Sequence, residues 1–495
     1  MTAHALPRLL PRVSAAALIG ASLLLASCAT APSMDAGPTL ARAEAAMGGA
    51  GLKTIRFAGN GTGTVYGQAY QPGQPWPKVT YSSFSRLADY ETAALREEFA
   101  RARAEPTGGG ALPLMGTGEQ RATAMLQGTA AWNMVGPAPA ASPVALDARI
   151  HDLWTSPHGV LKAAAKNQAT ASSRTVDGTA YTALAFTEPG RFSAVAYVNA
   201  AGLVERVDSV QPHPVAGDLE AVTLYSDYKD YAGVKFPARI RQSMGGVPVL
   251  DISVTEVQPN APSGIQTPAL VSGFAERAVA EKAAEGVWFI AGGSHNSVAI
   301  EMKDHLILVE SPLYDGRANA VLAEVKKLAP GKPVRYVINS HHHFDHSGGL
   351  RAAVADGATL VTSAAAKPFF EKTFANPNRI SPDALAKSGR SANIIGVAGK
   401  HVLTDGTRTV EIHDIAGGVH AQGFNMVYLP AEKLLIQADA FTPGPPNSPP
   451  PATPNGNHLT LVKNIEDRKL AVDRILPLHG RIVPMGELLA AIGRK

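Results

Sequence analysis

The chain has 495 residues and a formal net charge of +4. It is too long for one ordinary domain, and its charge is too small for a nucleic-acid footprint, which needs Lys and Arg gathered on one face. Hydrophobic residues make up 45% and charged residues 17%, enough apolar material for true cores, and the one cysteine, Cys28, excludes an intrachain disulfide.

Residues 1–27 read as a secretory signal peptide. Arg8 and Arg12 form a basic start, and Val13–Leu25 is an apolar run too short to be a comfortable membrane span. The tetrapeptide Leu25-Ala26-Ser27-Cys28 resembles a bacterial lipobox. That resemblance implies cleavage before Cys28 and a lipid anchor on it, at ~0.8 kcal/mol per buried CH₂. Ala29, where Asp would favour inner-membrane retention, implies the outer membrane facing the periplasm. No later stretch is long and apolar enough to span a bilayer. Residues 28–40 read as a small, polar tether.

Residues 41–260 read as an antiparallel β-rich α+β domain. Alternating apolar runs mark strands at Thr54–Tyr66, Arg191–Val198, Leu203–Val210, Ala221–Tyr225 and Val249–Val257, with a hairpin turn at Asn199-Ala200-Ala201-Gly202. The charged stretch Thr92–Ala104 predicts a helix. Residues 106–117 and 136–143, rich in Gly, Pro and Ala, predict irregular loops. No catalytic constellation stands out in this half. Its pattern resembles the curved sheets of lipoprotein-carrier and sorting proteins, which implies acyl-chain binding. A packing or oligomerisation role fits the same pattern.

Residues 261–274 read as a linker, and 275–495 as an α/β domain. Strands are expected at Gly286–Ile290, Ser297–Met302, Leu306–Val309, Val334–Ile338, Thr359–Val361, Thr409–Ile412, Met426–Leu429 and Leu434–Gln437. Helices are expected at Asn319–Leu328 and Leu350–Ala355. Between a strand and a helix stands Ser340-His341-His342-His343-Phe344-Asp345-His346-Ser347-Gly348-Gly349. A strand-like spacing of two places His341 and His343 on one side, where both imidazoles reach one cation, with Asp345 and His346 turned to a second. Imidazole and carboxylate suit Zn²⁺, Fe or Mn.

The string resembles the His-x-His-x-Asp-His signature of the metallo-β-lactamase superfamily, and the resemblance covers residues 275–495 in order. It implies an αββα sandwich in the C-terminal half and two divalent metal ions, zinc foremost. His341, His343 and His420 would hold the first ion, Asp345, His346 and His479 the second, and Asp439 would bridge both. His342 is the non-ligand position, expected to face solvent or the cleft. His295, His401, His413 and His458 read as structural or surface residues. Three positions depart from the common pattern: Glu310 for an Asp, Ala438 for a Gly, and Ala421 for a Ser or Thr. The first bears on the hydrogen bonding that surrounds the ligands.

The resemblance implies a hydrolase, with Asp345 as the catalytic residue that orients the nucleophile and shuttles its proton. The main zinc β-lactamases use a Cys on the second metal, which is absent here, while Asp439 fills the bridging position. The set is closer to thioesterases of the glyoxalase II type and lactonases, so a small ester, lactone or thioester-like molecule is the expected substrate. The alternatives are a ligand- or lipid-binding outer-membrane lipoprotein with a secondary metal domain, and a mononuclear iron oxidoreductase of the sulfur-dioxygenase kind. The expected partners are a small-molecule substrate and, through Cys28, a membrane, with no nucleic acid. The Pro-rich stretch Thr442–Asn457 is read as a stiff rim that limits substrate size, or as a plain surface loop.

Overall fold

The computed structural model describes residues 34–104, 118–449 and 451–494. Cys28, the signal segment and the loop 106–117 lie outside the described residues.

The N-terminal half forms a 14-stranded antiparallel sheet. Its strands do not follow simple chain order. Val247–Pro259, the last of them, pairs back onto Thr54–Thr64, and the hairpins that follow Thr54–Thr64 extend the sheet on that side. Register shifts at Gly59/Gly61, Tyr81/Ser83 and Val254/Glu256 mark bulges, which bend and twist a sheet. Helices Leu146–Trp154 and Gly159–Lys166 fill its inner face. Their Ile150, Leu153, Val160, Leu161 and Ala164 share one core with Phe57, Phe84, Phe192 and Phe236. Each large side chain buried there contributes roughly 1.5–3 kcal/mol. One hollow beside Arg86, Asp152 and Tyr225 has a volume of about 20 Å³, while grooves on the same sheet beside Asn60 and Ser85 and beside Thr187 and Val222 measure about 660 and 610 Å³.

Three sequence expectations are corrected in this half. Thr92–Ala104, read as a helix, contains the strand Ala94–Arg103, paired on both sides. Its intrinsic helix preference is overridden by a tertiary setting in which Leu95 is buried and Glu97 meets Arg86. Within 136–143, read as loop, Ala138–Ala141 adds a short edge strand. The tether reading overlaps real structure, because Met34–Asp35 pairs with Thr170–Val176 and a helix spans Gly37–Met47.

The C-terminal half holds a seven-stranded and a six-stranded sheet. They pack face to face through Val298, Ile300, Ile307, Val309 and Ile338 on one and Ile412, Met426, Leu434, Ile436 and Ile475 on the other. Helices Asp315–Leu328, Leu350–Ala355 and Lys367–Ala375 cover the outer face of the first sheet. Gly456–Asp467 and Met485–Ala491 pack on the second. This is the expected αββα sandwich. Leu306–Val309, Val334–Ile338, Leu434–Gln437 and Arg474–Pro477 all run into the loops that carry the candidate site, as expected where loops leave strand ends.

The two halves dock through two loops. Ala216 O accepts from Asn376 Nδ2 at 2.9 Å, and the Asp218 carboxylate caps the backbone amides of Arg379 and Ile380. Residues 65–77, between Thr54–Thr64 and Lys78–Asp89, reach the C-terminal domain at the histidines.

Candidate metal centre

The strand Val334–Ile338 ends before the cluster, and the helix Phe344–Ser347 begins after His343. His341 and His343 therefore converge from a loop, not from a continued strand. Two groups of ligand atoms result: His341, His343, His420 and Asp439 form one, and Asp345, His346, His479 and His295 the other. In the first, His341 Nε2 lies 2.9 Å from His343 Nδ1 and 3.2 Å from His420 Nε2, and Asp439 Oδ2 lies 2.9 Å from His420 Nε2. In the second, His346 Nε2 lies 3.2 Å from His479 Nε2 and 3.6 Å from Asp345 Oδ2. Asp439 joins them, with Oδ2 3.3 Å from His346 Nε2 and Oδ1 3.0 Å from His479 Nε2. Ligands about 2.0–2.1 Å from a tetrahedral ion stand roughly 3.3 Å apart, the spacing seen in both groups.

The outer hydrogen bonds decide which ring nitrogens carry lone pairs. His343 Nε2 donates to Ala69 O at 2.9 Å, His479 Nδ1 to Ser294 O at 2.7 Å and His346 Nδ1 to Glu310 Oε2 at 3.0 Å. His341 Nδ1 meets Ser340 Oγ at 3.0 Å, and that hydroxyl donates to Glu310 Oε2. Each outer nitrogen thus holds a proton, which leaves the inner nitrogens of His341, His343, His346 and His479 as the ones that can turn a lone pair to a cation; without one, Asp345 and Asp439 favour a second proton on His346. Asp439 Oδ2 is buried among them without a well-directed hydrogen bond. Such a set fits divalent cations: His341, His343, His420 and Asp439 would hold one, and Asp345, His346, His479 and Asp439 the other.

Residues 290–479 match the family described as the metallo-beta-lactamase superfamily. The C-terminal domain belongs to the metallo-β-lactamase superfamily. Among curated proteins, the chain is 29% identical over 159 residues to the 2,4-dinitroanisole O-demethylase subunit alpha of Nocardioides sp. (strain JS1661). The match takes in 32% of this chain and 45% of that protein, so the chain spans less than half of that relative's length. Among solved structures, a metallo-β-lactamase from Pontibacter korlensis is 16% identical, with a TM-score of 0.33, over 44% of this chain and 98% of that one. The flavodiiron protein from Giardia intestinalis is 16% identical, with a TM-score of 0.33, over 43% and 58%.

The electrostatics of the metallo-β-lactamase domain follow from burial around two carboxylates. Burial pushes His341 and His343 well below the usual histidine range. Burial also opposes charge on His346, but the carboxylates of Asp345 and Asp439 outweigh it and raise its pKa well above the usual value. Burial likewise works against ionising Asp439, yet His346 and His420 hold its carboxyl well below the usual range. The centre is an anionic, desolvated pair of sites that calls for positive charge.

Glu310 carries the outer bonding expected of it. It is fully buried, with φ of 69°, a strained conformation for a non-glycine residue. Its carboxylate accepts from Asn339 Nδ2, Ser340 Oγ and His346 Nδ1. It therefore orients a ligand of each ion.

Two expectations about histidines are corrected. His342 does not face solvent or the cleft: it is buried and donates Nε2 to Ala69 O at 2.9 Å. His295 is not a bystander. It is buried with Nε2 3.2 Å from Asp345 Oδ2, its ring stands against His479, and its Nδ1 meets Ser294 Oγ. The turn that carries it is held by the buried Arg317, whose guanidinium occupies the space a side chain at Gly292 would need and donates to His295 O. Asn296 Nδ2 ties the same turn to Pro477 O and Gly480 O beside His479. A histidine just past a strand end, in Gly-Gly-Ser-His-Asn, was the available signal. His413 pairs with Glu411 and His458 packs on Phe441, away from both groups. The Pro-rich stretch begins beside the site, where Pro443 packs against Gly480.

Proposed function

We propose that this protein is a metal-dependent hydrolase that holds two divalent ions, zinc foremost, and cleaves a small ester, lactone or thioester-like substrate. The observation that supports it is the convergence of four imidazole nitrogens on two points joined by Asp439. Ions held there would supply Lewis acidity and would lower the pKa of a water from 15.7 to about 7. The chain's residues do the positioning. Asp345, the most accessible carboxylate of the set after burial of the rest, is gripped through Oδ1 by Gln68 and through Oδ2 by His295. In that grip it can orient a nucleophile and take up its proton. Donors of this kind also accept Fe or Mn. The relative's printed name, an O-demethylase of 2,4-dinitroanisole, adds aryl methyl ethers to the classes worth testing. With Cys28 the one cysteine of the sequence and read as the lipid anchor, β-lactams are the expected poor substrates.

We also infer that Cys28 anchors the protein by lipid to the outer membrane, facing the periplasm. The support is the apolar run Val13–Leu25 and the tetrapeptide that ends in Cys28. Labelled fatty acid is expected to enter the native protein and not Cys28→Ser, and equal labelling of both would end this reading.

The test of the activity is a panel of lactone, thioester, ester, aryl ether, phosphodiester and β-lactam substrates. Cleavage of an ester-like member should fall on chelation and return with added Zn²⁺. Cleavage that survives complete metal removal, or none by a fully loaded protein, would overturn the hydrolase reading. A single bound iron with oxygen consumption would replace it with the oxidoreductase alternative.

A further inference from the structure

Residues 67–70 belong to the N-terminal domain, yet each touches the loops that carry the metal ligands. Gly67 O accepts from Phe344 N at 3.2 Å, and Gln68 Nε2 donates to Asp345 Oδ1 at 2.8 Å. Ala69 O accepts from both His342 Nε2 and His343 Nε2 at 2.9 Å. Tyr70 O accepts from Gln422 N at 2.7 Å, and Tyr70 Oη donates to Gly418 O at 2.9 Å, on either side of His420. Four consecutive residues therefore span from the second group of ligands to the loop of the third histidine. Gln68 and Ala69 are both buried.

The strap is built to stay. Val65 N bonds Pro77 O at 2.8 Å and closes its base. Tyr66, Trp76 and His213 pack around Phe344, with ring centroids 5.3, 6.0 and 4.8 Å from it. Gly67 has φ of 75°, and a side chain there would run into the Phe344 ring at 2.6 Å. Backbone and ring can approach this closely only with glycine.

We propose that this strap is a working part of the metal centre, supplied by the N-terminal domain. Gln68 is a positioning residue that aims Asp345 at the second ion, and the Ala69 carbonyl fixes the tautomer of His343 for the first. An ionised carboxylate can only accept, so the Gln68 amide must turn its N–H₂ to Asp345. Its bond and that of His295 hold the two carboxylate oxygens from opposite domains. Outer partners of this kind are worth 10–100-fold in metal affinity. Beneath the strap His343 is fully buried, while the Asp345 and His479 side chains keep exposures of 22% and 13%.

The inference rests on the two-ion reading, and metal affinity tests it apart from the reaction. Full-length native protein, Gln68→Ala, Gln68→Glu and Asp218→Ala are compared by chelator competition for Zn²⁺ and by the visible spectrum of the Co²⁺-loaded forms. Asp218→Ala weakens the other interdomain contact without touching the strap. We expect Gln68→Ala to bind the second ion 10–100-fold more weakly with a shifted Co²⁺ spectrum, and Gln68→Glu, with a carboxylate facing Asp345, to change the spectrum as well. Asp218→Ala should match native protein. Unchanged affinity and spectrum in Gln68→Ala would overturn the proposal, as would an equal loss in Asp218→Ala, which would reduce the strap to simple docking. Native protein that binds two ions but cleaves no substrate would defeat the hydrolase reading and leave this one standing.

Discussion

Nε2 of His346 lies 3.2 Å from Nε2 of His479, and the other nitrogen of each ring is already committed, to Glu310 and to the carbonyl of Ser294. Without an ion, the proton that Asp345 and Asp439 favour on His346 can bridge those two nitrogens, and a bound cation would take its place. The folded chain therefore carries the geometry of the ion in its outer hydrogen bonds, and those bonds are where substitution should be felt first.

Glu310→Gln keeps the shape of the side chain but replaces one acceptor oxygen with a donor, facing either the Ser340 hydroxyl and His346 N–H at Oε2 or the Asn339 and Ser340 N–H groups at Oε1. The variant should fold and lose about 10–100-fold in affinity for the second ion. Chelator competition measures this, and native affinity in the variant would show that Glu310 does not tune His346.

Stability should fall on acidification through the N-terminal domain. Burial pushes His158 down to about 4 and His213 down to about 3. His213 Nδ1 also accepts from the amides of Val215 and Ala216, so a proton there would displace two bonds. The unfolded chain takes up these protons near pH 6.5, while the fold resists until about 4 or lower. The native state binds fewer protons in between. The stabilisation is thus complete above about pH 6.5 and is lost as pH falls through 6.5 toward 4. For His158 this is on the order of 3 kcal/mol. Urea unfolding at pH 7.5 and 4.5 should show a steeper loss in native protein than in His158→Phe, and equal slopes would remove His158 from the account.

Gly67→Ala combines a left-handed backbone with a clash on Phe344. A destabilisation of about 1–3 kcal/mol is expected, read as a lower Tm with weaker Zn²⁺ binding. Unchanged Tm and binding would mean that the strap can move aside freely.

Much of the C-terminal fold was legible because its strands are short apolar runs bounded by turns, and its ligands fall in one local string followed by a loop residue, His420, and two residues just past strand ends, Asp439 and His479. The outer partners of Asp345 were not. His295 carries no local signature, and its role comes from Arg317 and Asn296 folding one turn against Asp345. Gln68 meets Asp345 across 277 positions of sequence, a contact that no periodicity encodes. Ala94–Arg103 was misread for a related reason. Its charged, helix-prone residues become strand only because neighbours on both sides pair with it.

Elemental analysis of the purified full-length protein tests the central claim most directly. The account predicts two divalent ions per chain in native protein and a loss of at least one in both His343→Ala and His346→Ala, with activity falling alongside. Native protein that binds no divalent ion at saturating supply, or a His343→Ala variant that keeps both ions and full activity, would contradict it.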